Sequence, residues 1–358
     1  MTHDHAGRIA RLRARLTEGP ADTMLITDLI NVRYLCGFTG SNGALLVLPD
    51  AAVLLTDGRY LEQAAGETTE VEVMDGRDGV TAGLRLADRR GADAVVIEAE
   101  AVNLAQFARM EPVGPTLVPE SGIVEQLRRH KDAGELALLR RACQIIDDAI
   151  RALMPQIRPG LTEREIALTL DRTVCELGGD APAFETIVAS GPNSAIPHHS
   201  PTLREVRAGD LLKIDAGALV DGYHSDTTRT FVVGAEPTAG QLDLHAAVAA
   251  AAAAARATVA PGTTGREADD AARAELTRAG LGDRYPHGLG HGVGLRIHEA
   301  PMLGAVSTDT IESADVLTIE PGAYVPGFGG VRIEDTFAVT DAGSESLTTL
   351  ARDLIRLA

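Results

Sequence analysis

The chain has 358 residues, 45% hydrophobic and 23% charged, which is enough for a large core and two domains. Its net charge of −18 leaves no basic excess to neutralise phosphates, so a nucleic-acid surface is excluded and an anionic membrane disfavoured. Cys36, Cys143 and Cys175 are isolated, so no CxxC zinc site or disulfide scaffold is expected, and they read as thiols of a reducing compartment.

The N-terminus, MTHDHAGRIARLRARL, lacks the apolar run of a secretory signal. No stretch approaches the roughly 20 apolar residues of a membrane span, and a cytoplasmic location is expected. Residues 6–17 predict a short basic helix. TMLIT, ALLVLP, AAVLLTDG and AVVIEAE are short apolar runs bounded by turn residues, as in buried strands, and LAQFARM (104–110) reads as helix. Together they predict a small α/β domain over residues 1–125. From residue 123 the period changes. Leu136, Leu139, Cys143, Ile146, Ile150 and Leu153 form one face of a long helix that stops before Pro155.

Residues 126–358 contain an internal repeat. RPGLTEREIALTLDRTVCELGG (158–179) and APGTTGREADDAARAELTRAGLG (260–282) align without a gap at an offset of 102. Thr162 with Glu165, and Thr264 with Glu267, are capping boxes in which hydroxyl and carboxylate each satisfy an orphan helix N–H. A helix pattern precedes each copy and strand patterns follow both. This half is therefore expected to be α+β, two helix–helix–sheet units about a pseudo-twofold axis, an interface that favours ligands.

LLKIDAGALVDGYHSDTTRTF (211–231) reads as a hairpin about Asp221-Gly222, because a type I′ turn needs positive φ at both positions. Val220 then faces Tyr223 and Gly217 faces Asp226. Side chains alternate along a strand, so Asp215 and Asp226 share a face as diagonal neighbours, with Cα atoms roughly 7–8 Å apart. Two such carboxylates either face solvent at strand ends or converge on cations. The flanking apolar residues favour convergence.

HGLGHGVGLRIHEAP (287–301) sets His287, His291 and His298 among glycines that disfavour a helix and let backbone approach a ligand. It is not the helical HExxH arrangement. In VLTIEPGAYVPGFGGVRIEDTFAVT (316–340), Glu320 ends an apolar strand, and a second strand is expected to place Arg332, Glu334 and Thr336 on one face. A glutamate ending a buried strand is costly unless paired or ligated, and Glu334 has ion pairing with Arg332 as its alternative. SGPNSAIPHHSP (190–201) adds His198 and His199 in a loop. Asp215, Asp226, Glu320 and Glu334 in one pocket would repel strongly, and two divalent cations would cancel their charge. With one neutral histidine the donor set is hard and suits manganese or cobalt better than a thiolate-loving metal. The implied chemistry is hydrolysis.

These motifs resemble the metallopeptidases with the pita-bread fold, which include methionine aminopeptidases, Xaa-Pro aminopeptidases and Xaa-Pro dipeptidases (prolidases). DAGALVDGYHSDTTRTF, GHGVGLRIHEAP, IEPGAY and GVRIED match in order and spacing. NVRYLCGFTGSNGALLV and TDGRYLEQA are similar to the creatinase-like N-terminal domain of the Xaa-Pro branch. The resemblance implies metal ligation by Asp215, Asp226, His291, Glu320 and Glu334. In it, Asp226 and Glu334 serve both ions, Asp215 serves one, and His291 with Glu320 serves the other. It implies a proton-shuttle role for Glu320 and substrate contacts for His198 and His298, with Arg332 and Tyr223 as lesser candidates for orienting ligands and substrate. His199 and His287 are left structural.

The metal pair implied is manganese, with cobalt or zinc as alternatives, the partner a proline-containing peptide, and the assembly a homodimer. Arg296 is a departure, at a position where the family commonly has an acidic or neutral residue. Creatinase shares the fold but lacks these ligands. The expected activity is cleavage between an N-terminal residue and proline by an Xaa-Pro aminopeptidase. A strict Xaa-Pro dipeptidase is the nearest alternative, and a non-catalytic binding module on the same fold is the alternative of another class.

Overall fold

A computed structural model describes residues 3–68 and 70–358, and the chain forms two compact units, Met1–Arg128 and Arg129–Ala358. In the first unit a six-stranded mixed sheet runs in the order Glu72–Asp75, Ala52–Thr56, Gly43–Val47, Met24–Ile26, Ala94–Glu98, Thr116–Glu120. The four apolar runs supply its central strands. Leu25, Leu46, Val53, Val95 and Ile97 pack with Leu84 and Ala87 of the helix Gly79–Arg89. The edge strands Glu72–Asp75 and Thr116–Glu120 lack buried residues, which is why hydrophobic runs did not reveal them.

The second unit carries the repeat into three dimensions. The helix Glu163–Glu176 follows the long helix Ala133–Leu153, and Gly265–Arg278 follows Ala239–Thr258. Both second helices have 14 residues and open with the expected capping box. Thr162 N–H reaches Glu165 at 2.8 Å and Thr264 N–H reaches Glu267 at 2.8 Å. Each helix pair covers its own sheet. The first pair packs on Val188, Leu212, Ile214 and Phe231, and the second on Leu317, Ile333 and Phe337.

The first sheet orders as Arg356–Leu357, Thr227–Val233, Leu211–Ala216, Ile187–Ser190. The second orders as Glu299–Leu303, Gly290–Gly292, Val316–Ile319, Asp335–Thr340, Gly343–Ser346. A bridge between Thr228 and Glu334 stitches the two halves together. Strand alternation separates functions on Leu211–Ala216: Leu212 and Ile214 enter the first helical core, while Asp215 points away from it to the cavity.

The hairpin forms in the expected register. Val220 pairs with Tyr223, and beyond the interruption Ala216 pairs with Thr227. Asp221 and Gly222 both have positive φ, 47° and 77°. Gly217 is required for a second reason: a Cβ there would stand 1.9 Å from the Ser225 carbonyl oxygen. The expected single strand through Arg332, Glu334 and Thr336 is instead two. Gly329–Arg332 pairs with Gly322–Val325, whereas Asp335–Thr340 pairs with Val316–Ile319, so Glu334 falls at the change of partner. Among the described residues, no helix is long and apolar enough to cross a membrane.

Candidate metal centre

Four strand ends and one short strand deliver the acidic and imidazole groups to one cavity of about 670 Å³. Asp215 closes the strand Leu211–Ala216 and Asp226 precedes Thr227–Val233. His291 is the middle of Gly290–Gly292, Glu320 follows Val316–Ile319, and Glu334 precedes Asp335–Thr340. All five line the cavity, together with His198, His298 and Arg332. Donor atoms of Asp226, His291 and Glu334 lie within 4.8 Å of one another. His291 Nε2 lies 3.6 Å from Asp226 and 3.5 Å from Glu320.

The hydrogen bonding around these groups suits a cation. His291 Nδ1 lies 3.0 Å from the Gly292 carbonyl oxygen, which can only accept. The proton therefore sits on Nδ1 and the Nε2 lone pair faces the carboxylates. Asp215 Oδ1, Asp226 Oδ1 and Glu334 Oε1 are buried without a hydrogen-bond partner. Lone pairs aimed at lone pairs in a buried site are unfavourable until positive charge enters. Burial, then Glu334, Asp215 and Glu320, hold the Asp226 carboxyl well above the usual range. Burial followed by Glu320 and Asp215 does the same to Glu334. Burial pushes Glu320 up to about 8 despite the opposing Arg332 guanidinium. Burial pushes His291 down to about 4, aided by His298, whose ring lies edge-on at 4.3 Å. The five residues fit a cation site of hard donors.

Neighbouring side chains fix these groups. Thr228 donates to Glu334 at 2.7 Å, Thr227 to the Glu334 carbonyl at 3.1 Å, and Thr336 to the Asp226 carbonyl at 2.8 Å. Arg332 forms an ion pair with Asp215 and lies 4.0 Å from Glu320. Its Nη1 donates to the Tyr324 hydroxyl at 2.8 Å. Burial opposes the Arg332 charge, but Tyr324, Asp215 and Glu320 more than restore it.

The structure brings together every proposed site residue except Tyr223. That side chain is buried and donates to Glu135 at 3.0 Å, because hairpin alternation turns it toward the helix Ala133–Leu153. His287 goes the other way. Left structural in the sequence, it lines the cavity, with Nε2 2.8 Å from the Tyr324 hydroxyl, and burial pushes it down to about 4. Its place four residues before His291 in the glycine run is the signal that could have found it. His199 is buried 2.8 Å from Glu163, as a structural histidine should be. The apolar lining, Phe184, Ile187 and Met302 among it, carried no sequence signal.

Comparison with known proteins places these features in a family. The model for metallopeptidase family M24 matches residues 137–341, and that for the Creatinase/Prolidase N-terminal domain matches residues 8–130. A relative, the Xaa-Pro dipeptidase of Pyrococcus furiosus, is 33% identical over 356 residues, covering 97% of this chain and 99% of the relative. Among solved structures, the Xaa-Pro dipeptidase from Bacillus anthracis aligns with a TM-score of 0.96 and 35% identity, over 99% of this chain and 100% of that one. The X-Pro aminopeptidase from Thermotoga maritima aligns with a TM-score of 0.91 and 33% identity, over 98% and 99%. The fold is thus a pita-bread catalytic domain behind a creatinase-type N-terminal domain, as the motifs implied. With a cavity in which Asp226, His291 and Glu334 could hold a metal ion, the chain belongs to metallopeptidase family M24 and is a metal-dependent hydrolase of peptides.

Proposed function

We propose that the enzyme is a dinuclear-metal aminopeptidase that hydrolyses the bond between an N-terminal residue and proline. The observation that carries this reading is the convergence of four carboxylates and one imidazole on a single cavity, three of the carboxylates keeping an unpartnered buried oxygen. Asp215, Asp226, His291, Glu320 and Glu334 would hold two divalent cations, with manganese the best match to the hard donors. Bound there, such ions lower the pKa of a water and polarise the scissile carbonyl.

The protein's own groups do the rest. Glu320 takes a proton at its carboxylate and delivers it to the leaving proline nitrogen. His198, on the exposed side of the cavity, contacts the scissile amide, and His298 contacts the proline carbonyl or carboxylate. Arg332 orients Asp215. Phe184, Ile187 and Met302 give the cavity an apolar wall against which the peptide sheds water.

A strict dipeptidase is the second reading, favoured by the activity named for the Pyrococcus furiosus and Bacillus anthracis proteins. The experiment compares Ala-Pro, Ala-Pro-Ala and Ala-Ala-Ala as substrates with Mn²⁺, Co²⁺ and Zn²⁺ in turn. Cleavage of Ala-Pro-Ala supports the aminopeptidase. Cleavage of Ala-Pro alone selects the dipeptidase. Cleavage of Ala-Ala-Ala at an equal rate overturns proline specificity.

A further inference from the structure

The segment 190–202 carries His198 and has little regular structure beyond the short turn Gly191–Ala195. A loop of this kind would leave a substrate-facing histidine free to wander, and the structure prevents that from two sides. From the helix Glu163–Glu176, the fully buried Glu163 carboxylate accepts from four residues of the segment. Its Oε1 takes Ser190 N at 2.8 Å, Ser190 Oγ at 2.8 Å and Asn193 Nδ2 at 2.9 Å. Its Oε2 takes His199 Nε2 at 2.8 Å, Thr202 N at 3.1 Å and Thr202 Oγ1 at 2.7 Å. From the opposite direction, Lys213, also fully buried, donates to the carbonyls of Ile196 at 2.7 Å and Pro197 at 3.0 Å. Lys213 Nζ stands 5.0 Å from the centre of the Tyr324 ring, which bounds it on a further side.

The anchors flank His198 with nothing between. Residues 196 and 197 are held by their carbonyls and residue 199 by its ring. His199 is 9% exposed and turned inward, while its neighbour His198 is exposed and lines the cavity. A carboxylate and an amine, both fully buried and both committed to a segment with no metal ligand in it, are costly to maintain for packing alone.

We propose that Glu163, His199 and Lys213 are positioning residues that hold the segment 190–202 so that His198 meets the substrate. This rests on the substrate-side reading of His198 given above. None of the three touches the substrate, and they act by limiting where the His198 ring can go.

The test is a double-mutant cycle on the manganese-loaded enzyme with a proline-containing peptide. His199→Leu, Lys213→Met and His198→Ala are each expected to lower kcat/KM by about ten- to a hundred-fold. Added to His198→Ala, either should cost no more than about twofold further, because the group being positioned is already gone. His199→Gln keeps an N–H donor near the ring Nε2 position and should recover most of the activity. Bound metal per chain should be unchanged in all variants. Losses that multiply with that of His198→Ala, or full activity in His199→Leu and Lys213→Met, would overturn the proposal and leave the proposed function standing. Full activity in His198→Ala would remove the substrate-side reading, and this proposal with it. A readout without turnover guards against misfolding: amide exchange across 190–202 should quicken in His199→Leu and stay near wild type in His199→Gln. Unchanged exchange in both would also overturn the proposal.

Discussion

Arg332 grips Asp215 through Oδ2 and leaves Oδ1 of the same carboxylate buried and without a partner. One oxygen is thus committed to orientation and the other is held bare for a cation. Replacing Arg332 by Gln removes the grip while keeping polar volume. Groups that orient ligands typically contribute 10- to 100-fold in metal affinity or activity, so a loss of about that size is expected. Metal titration monitored by calorimetry checks it, and an unchanged affinity with unchanged turnover would refute the orienting role.

Glu320 is expected to separate catalysis from stability. Glu320→Gln should lower kcat by at least about a hundred-fold, since proton transfer typically supplies 10²–10⁴. The same change removes a buried carboxylate repelled by Asp215, so the metal-free variant should melt no lower than metal-free wild type. Full turnover in this variant, measured at saturating metal, would eliminate Glu320 as the proton carrier.

Metal removal should loosen the second unit. Without cations, burial and neighbouring carboxylates disfavour the charged forms of Asp226, Glu334 and Glu320. Dialysis against chelator should lower the melting temperature, and Mn²⁺ at a hundred times its dissociation constant should restore about 2.7 kcal/mol for each site it fills. Asp226→Asn should abolish most of that gain. Equal melting of chelated and manganese-loaded protein would contradict a site built for cations.

Glu163 predicts an acid-side signature. Burial raises its pKa, but hydrogen bonds from Thr202, His199 and Asn193 outweigh it and pull the carboxyl from 4.5 to about 2. A lowered carboxyl contributes stability that is fully present above its unfolded value and is lost as pH falls through its folded one. The stability gap between wild type and Glu163→Gln should therefore be flat above pH 4.5 and narrow between pH 4.5 and about 2. Urea titrations at successive pH values measure it, and a gap that stays constant through that window would show that the carboxylate charge is not what stabilises the segment.

Much of the centre was legible because its ligands sit in regular surroundings. Asp215 and Asp226 share a face by the arithmetic of a two-residue turn, and the structure keeps that register. The capping boxes at Thr162 and Thr264 were readable because a cap is a local interaction between residues three positions apart. What the sequence hid depended on distant partners. Tyr223 lies on the face opposite Asp226 by hairpin alternation, but that this face meets Glu135, far off in the chain, was not readable. Arg332 and Glu334 left one strand because their flanks pair with different neighbours. His287 became part of the wall through Tyr324, whose position no local pattern specifies.

The bridge between Thr228 and Glu334 has one further implication. Asp215 and Asp226 come from the earlier half of the repeat, and His291, Glu320 and Glu334 from the later half. A nascent chain that has emerged only through the first half holds two carboxylates and no imidazole ligand. The donor set is therefore complete only when both halves are folded and joined, so neither half by itself can assemble the site.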